Sequence, residues 1–279
     1  MIVFKLADAL SNHVKAEKQN GKKIGFVPTM GALHEGHISL IRSALAENDI
    51  TVCSIFVNPS QFNNKEDFDH YPVTIEKDIE KLVLAGCNIL FLPSVTEIYP
   101  PGYKPLKYDL GEVEFILEGI HRPGHFQGVC QVIDRLLNII NADKLYLGQK
   151  DFQQCMVVKK LIEISGENAP ELRIMPTIRE KDGLAMSSRN MRLDQKNKAL
   201  ATSIFNELET IKARIGKDSL ENLVENAKHN LNDKGFQTDY VAILSAETLQ
   251  PPNGKNEKLV GLVAASLGNV RLIDNMLLN

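Results

Sequence analysis

Through its first two thirds the chain alternates two hydrophobic rhythms. Short continuous apolar runs, "KIGFV", "DITVCSIFVN", "NILFLP", "KLYLG" and "ELRIMPT", are rich in β-branched residues and predict buried strands. Between them apolar residues recur at helix spacing. Ile38, Leu40, Ile41, Ala44 and Leu45 predict a helix starting near His37. "TIEKDIEKLVLAGC" predicts another, with Ile75, Ile79, Leu82 and Val83 on one face and Gly86 near its stop. "FQGVCQVIDRLLNIINA" carries a broad apolar face, and "DFQQCMVVKKLIEIS" is opened by Asp151 as a candidate N-cap. Strands alternating with helices imply right-handed crossovers and a mostly parallel sheet. The pattern predicts a doubly wound α/β domain over residues 1–177.

The rhythm changes after Thr177. Helical segments are predicted over roughly Asp194–Ile215 and Ser219–Leu231. Three strands follow, "TDYVAILSAE", "KLVGLVAASL" and "NVRLIDN", separated by the turn chemistry of "QPPNGKNE" and "LGN". Helices followed by a small sheet predict a second, smaller α+β domain over residues 178–279. The Pro- and Tyr-rich stretch "PSVTEIYPPGYKPLKYD" fits no regular element and is taken as a loop over the site.

Composition narrows the function classes. Among 279 residues, 43% are hydrophobic and 24% charged, enough for a substantial core. The net charge of -3 leaves no strong footprint for nucleic acid. No apolar stretch of roughly 18 residues occurs, so no membrane helix is expected. "MIVFKLADAL" has an acidic residue too early for a signal peptide. Cys53, Cys87, Cys130 and Cys155 are scattered, as expected of reduced thiols in a cytoplasmic protein.

The chemistry concentrates first in "VPTMGALHEGH", which leaves a predicted strand end and opens a helix. Ligands in open parallel sheets bind at strand carboxyl ends, and helix N-termini favour anions. Three motifs compete there. Gly31 and Gly36 have Walker A spacing, but His37 and Ile38 replace its Lys and Ser/Thr, which disfavours a P-loop. His34 and His37 are three apart across a glycine, not four apart on a continuous helix, which disfavours zinc. The third is His-x-Gly-His, the signature of class I nucleotidyl transferases, whose imidazoles donate to ATP phosphates. It suits a turn that releases pyrophosphate.

Three further stretches carry polar groups out of predicted strand ends or links. In "FVNPSQF", Asn58 and Gln61 could read a small polar substrate. In "LGQKDFQQ", Lys150, Asp151 and Gln154 bring a cation, a possible metal partner and an amide together. In "REKDGLAMSSRN", Ser187, Ser188 and Arg189 offer hydroxyls and a guanidinium fork suited to phosphate.

Taken together, "PTMGALHEGH", "FVNPSQF", "EGIHRPGHFQGV", "GQKDFQQ" and "PTIREKDGLAMSSRN" closely resemble the pantoate–β-alanine ligase family of the class I nucleotidyl transferases. "MSSRN" is similar to the KMSKS-type loop of the wider superfamily. The resemblance implies a Rossmann-like first domain, a smaller second one and a homodimer. It implies ATP-dependent condensation of pantoate with β-alanine, with Mg²⁺, through a pantoyl adenylate. His37 matches the proton donor, with His34 beside it and Lys150 as a further catalytic residue. Pro28, Thr29, Met30, Gly31, His34, Gly36 and His37 match nucleotide contacts. So do Gly148, Lys150, Asp151, Ile178, Met186, Ser187, Ser188 and Arg189. Gln61 and Gln154 match the pantoate-binding glutamines, with Asn58 beside them and Gln61 also near β-alanine. The magnesium ligands stay unassigned. Rival readings are another adenylating or nucleotidyl transferase of the superfamily, such as a small aminoacyl-tRNA synthetase, or a non-catalytic ATP-binding module.

Overall fold

The computed structural model describes every residue except Asn64, Glu167, Asn168 and Lys255, the last of which belongs to the "QPPNGKNE" turn. The chain divides into two compact units, Met1–Gly148 with Gln153–Met175, and Gln149–Phe152 with Pro176–Asn279.

The first unit is built on a parallel sheet of six strands: β1 (Ile2–Phe4), β2 (Ile24–Thr29), β3 (Ile50–Ile55), β4 (Ile89–Phe91), β5 (Lys144–Gly148) and β6 (Glu171–Met175). Their order is β1-β4-β3-β2-β5-β6. Successive strand residues alternate between the two faces. Phe26, Val52, Ile89 and Leu145 pack into one core with the helices Ala7–Gln19 and His125–Ile140. Val27, Cys53, Leu90 and Tyr146 pack into the other with the helices Glu35–Glu47 and Ile75–Leu84. Burial on both faces explains why these strands are continuous apolar runs. The doubly wound architecture expected from the alternation is what the structure has. The edge strand β1 has three residues, too short a pattern to read, and the helix after it buries only Leu10 and Val14.

Two local features differ from the sequence pattern. The apolar run "KIGFV" ends at Val27, yet β2 continues through Pro28 to Thr29. Its ladder to β5 runs only through Gly25 and Phe26, whereas the ladder to β3 runs the whole length. Alternation turns the Pro28 nitrogen toward the β5 side, past the end of that ladder, where no N–H is required. The sheet thus opens between β2 and β5, where the strand order reverses. In the helix Ile75–Leu84, Val83 is 54% exposed rather than part of the apolar face, and the fully buried positions are Leu82 and a carboxylate, Asp78.

The second unit holds an antiparallel sheet, β7 (Gln237–Ser245), β8 (Leu259–Leu267) and β9 (Val270–Leu277), in that order. Ile204, Leu208 and Ile211 of the helix Ser203–Arg214, with Leu223, Ala227 and Leu231 of Leu220–Asp233, share its core with Val263, Ala265 and Leu272. Asp194 caps Gln195–Ala201 by accepting from the Asn197 N–H at 2.7 Å, and Ser219 caps Leu220–Asp233 by accepting from the Asn222 N–H at 3.2 Å. The single helix expected over 194–215 is divided at Thr202.

Candidate active site

The turn after β2 is held from within. The Thr29 hydroxyl donates to the Ser54 carbonyl at 2.7 Å and accepts the Gly31 N–H at 3.2 Å. Gly31 has φ +84° and Ala32 φ 48°, both in the left-handed region. A side chain there costs roughly 1–2 kcal/mol for a non-glycine residue. The opposing term is Asp78, 0% exposed, whose Oδ2 accepts the Ala32 N–H at 2.9 Å and whose Oδ1 accepts the Leu33 N–H at 2.8 Å and the Thr74 hydroxyl at 3.1 Å. The Lys81 ammonium donates to the Leu33 carbonyl. Hydrogen bonds to a buried charge are worth roughly 1.5–3 kcal/mol each, enough to hold the strained turn. Asp78 was missed because its spacing marks it as one more polar position on a helix.

The helix begins at Glu35, two residues before the expected start, with His34 as N-cap and His37 in its first turn. The capping is reciprocal. His34 Nδ1 accepts the Gly36 N–H at 3.2 Å, and His37 Nδ1 accepts the His34 N–H at 3.3 Å. The two rings stand 4.1 Å apart, tilted by 39°. A neutral imidazole that accepts at Nδ1 carries its proton on Nε2. The backbone therefore selects, for both histidines, the tautomer with Nε2–H as donor, at a helix end that attracts anions.

The "FVNPSQF" turn joins the same neighbourhood. Gln61 Nε2 donates to Met30 Sδ at 3.1 Å. Asn58, 1% exposed, donates to Gln61 Oε1 and to the Gly128 carbonyl, both at 3.1 Å. Its Oδ1 accepts the Ser60 hydroxyl and the Tyr99 hydroxyl, both at 2.9 Å. Asn58 was expected to read substrate, but both ends of its amide are engaged inside the protein, so it fixes Gln61. His125 Nδ1 lies 2.8 Å from the Gln61 carbonyl. A Cβ on Gly128 would meet the Ser60 carbonyl oxygen at 2.3 Å and Gln61 Cα at 2.8 Å, so only glycine lets this helix approach the turn. Tyr99 belongs to the segment taken as a structureless loop. A short helix, Val95–Ile98, capped by the Ser94 hydroxyl at 3.3 Å from the Glu97 N–H, directs the chain into Tyr99. Burial raises the Tyr99 phenol above its ordinary range, so it stays a donor.

At the end of β5, Cys155 Sγ lies 3.4 Å from the Gly148 carbonyl. Gln153, 3% exposed, is committed to the 113–118 connection through the Glu118 N–H at 3.0 Å and the Val113 and Ile116 carbonyls at 2.8 Å. Its neighbour Gln154 is half-buried and takes no part in that bracket.

In the second unit, Gln149–Asp151 forms a 3-10 turn, with Lys150 Nζ 3.7 Å from the Asp151 carboxylate. The segment carrying Ile178 and Met186 folds back on itself. The Met186 N–H donates to the Ile178 carbonyl at 3.0 Å, and Arg179 bridges Ala185 in antiparallel fashion. Ser187 Oγ accepts the Arg189 N–H at 3.3 Å and opens the turn Ser188–Arg192. Arg179 clamps this hairpin with a two-pronged contact to Asp274 at 2.6 and 3.0 Å. Burial holds the Asp274 carboxyl above its ordinary range, with Arg179 offsetting part of the rise.

Residues 2–277 match the family model described as Pantoate-beta-alanine ligase. A pantothenate synthetase of Cytophaga hutchinsonii is 46% identical over 287 residues, spanning 100% of this chain and 99% of that protein. The crystal structure of pantothenate synthetase from Thermus thermophilus is 36% identical, with a TM-score of 0.92 over 99% of both chains. A pantoate-beta-alanine ligase from Francisella tularensis, solved with "Beta-gamma ATP and Beta-alanine", is 37% identical with a TM-score of 0.83, over 99% of this chain and 97% of that one.

Proposed function

The chain belongs to the pantoate–β-alanine ligase family, and from that premise we propose the route by which its residues join pantoate to β-alanine. It is an ATP-using ligase of pantothenate biosynthesis. The carboxylate of pantoate attacks the α-phosphorus of ATP, pyrophosphate leaves, and pantoyl adenylate remains. The β-alanine amine then attacks the acyl carbon and AMP departs.

The observation that carries this route is the pair of histidines set as Nε2–H donors by backbone capping. Negative charge grows on the phosphate oxygens during the first step, and donors fixed beforehand stabilise it without reorganising. His37 and His34 fill that role, with Lys150 adding a cation. Pro28–Gly31, Gly36, Gly148, Asp151, Ile178 and Met186–Arg189 contact the nucleotide, while Gln61 and Gln154 hold pantoate. Asn58 supports Gln61.

Magnesium enters with ATP. Among the described residues no group of three or more His, Cys, Asp or Glu is placed to hold a metal ion. An ion bound with ATP would supply charge screening, lowering the repulsion between the phosphates and the pantoate carboxylate. No described helix is long and apolar enough to cross a membrane. The four cysteines are buried and unbridged, which fits a reducing cytoplasm. A homodimer is the expected assembly.

The test is to incubate the protein with ATP, Mg²⁺, pantoate and β-alanine and to look for AMP and pantothenate by mass spectrometry. Pyrophosphate exchange into ATP should require pantoate. Exchange driven by another acid would point to a different adenylating enzyme, and no exchange to an ATP-binding module.

A further inference from the structure

We propose that Asn275, on the C-terminal strand β9, is the positioning residue for Lys150, an inference that rests on the role given to Lys150 above. The turn Gln149–Asp151 groups with the second unit although it follows β5 directly in sequence. Asn275 is what ties it there. Its Nδ2 donates to the Gln149 carbonyl at 2.9 Å and to the Lys150 carbonyl at 2.8 Å, and its Oδ1 accepts from Gln149 Nε2 at 3.1 Å. Two adjacent carbonyls and an amide donor call for a planar group with two donors and an acceptor, which only Asn or Gln provides. Aspartate could not donate, and an apolar residue would leave both carbonyls without this partner.

Burial points the same way. Asn275 is 2% exposed, while its same-face neighbours on β9, Ile273 and Leu277, are half-buried and exposed. The strand position itself is fixed. The Asn275 N–H donates to Asp274 Oδ1 at 2.8 Å, and the Asn275 carbonyl accepts from Arg179 at 3.1 Å. Since Arg179 also clamps Asp274 and donates to the Gly183 carbonyl at 3.0 Å, two adjacent residues of β9 hold both the Lys150 turn and the Ile178–Arg189 hairpin. A lysine that stabilises developing charge must sit at a set place, and a displacement of about 1 Å costs on the order of a hundredfold.

The decisive experiment is a mutant cycle on adenylate formation, followed in single turnover. Asn275→Ala should slow that step on the order of 10- to 100-fold, with the KM for ATP little changed and a melting transition that stays cooperative though lowered. In a Lys150→Ala background the same substitution should cost almost nothing further, because it acts through the lysine. Gln149→Ala, which removes one bond of the bracket, provides a milder second variant should Asn275→Ala fail to fold. It should show a smaller loss with the same non-additivity. Equal fractional losses in both backgrounds would overturn the inference. So would full activity of both variants while Lys150→Ala is slow. A Lys150→Ala enzyme at full rate would instead bring down the reading of the site, and this inference with it.

Discussion

Replacing Asp78 by asparagine tests whether the turn after β2 is strained and held. The substitution keeps shape and one oxygen. That oxygen can still serve the Leu33 N–H and the Thr74 hydroxyl, 2.8 and 3.1 Å away. The other position becomes an amide nitrogen facing the Ala32 N–H, which donates at 2.9 Å in the native protein. One charge-assisted bond is lost, and a buried N–H is left facing a donor. Each effect is worth roughly 1–3 kcal/mol, and because they overlap we expect a combined loss of about 2–4 kcal/mol. That is a large part of an ordinary stability of about 5–15 kcal/mol. The local effect is more specific. Ala32 at φ 48° carries strain of roughly 1–2 kcal/mol that the carboxylate offsets. Without it the turn leaves its native shape by a factor of roughly 5–30, and the apparent affinity for ATP falls with the competent fraction. Urea unfolding reads the first effect, and the KM for ATP in pyrophosphate exchange reads the second. A variant within about 0.5 kcal/mol of the native protein, with unchanged KM for ATP, would refute both the holding role and the strain.

His37→Ala should lower adenylate formation on the order of 10²- to 10³-fold in a folded protein, with exchange as the readout. Near-normal exchange would remove His37 from the chemistry. Gly128→Ala would drive a Cβ into backbone at 2.3 Å, costing roughly 1–3 kcal/mol. It should raise the KM for pantoate more than that for ATP by displacing Gln61, and an unchanged melting temperature would contradict the packing. Burial pushes the Cys87 thiol up to about 11 and Cys130 up to about 12, and Cys53 is raised well above its ordinary range. The native protein should therefore resist iodoacetamide at pH 8 and react fully only in denaturant, as mass spectrometry of tryptic peptides would report.

The layered architecture is written in the hydrophobic pattern, because burial on both sheet faces demands continuous apolar runs. The segments proposed to carry the chemistry are marked in the sequence as well, since His34, His37, Gln61 and Lys150 each follow the break of a strand run. Anything made by distant pairs is not. Asp78 is a polar residue in a helix until the fold lays it under Ala32 and Leu33. Asn58 looks like a substrate reader until its neighbours use both ends of its amide. The helix start moved to Glu35 because histidine capping needs backbone geometry, not composition. Asn275 lies 125 residues from Lys150, on a strand whose apolar alternation says nothing of the turn it fastens. Hydrophobic pattern is local and repeats with each element, so one chain displays it. A hydrogen bond between remote groups is decided only when the fold has brought the donor and acceptor within reach.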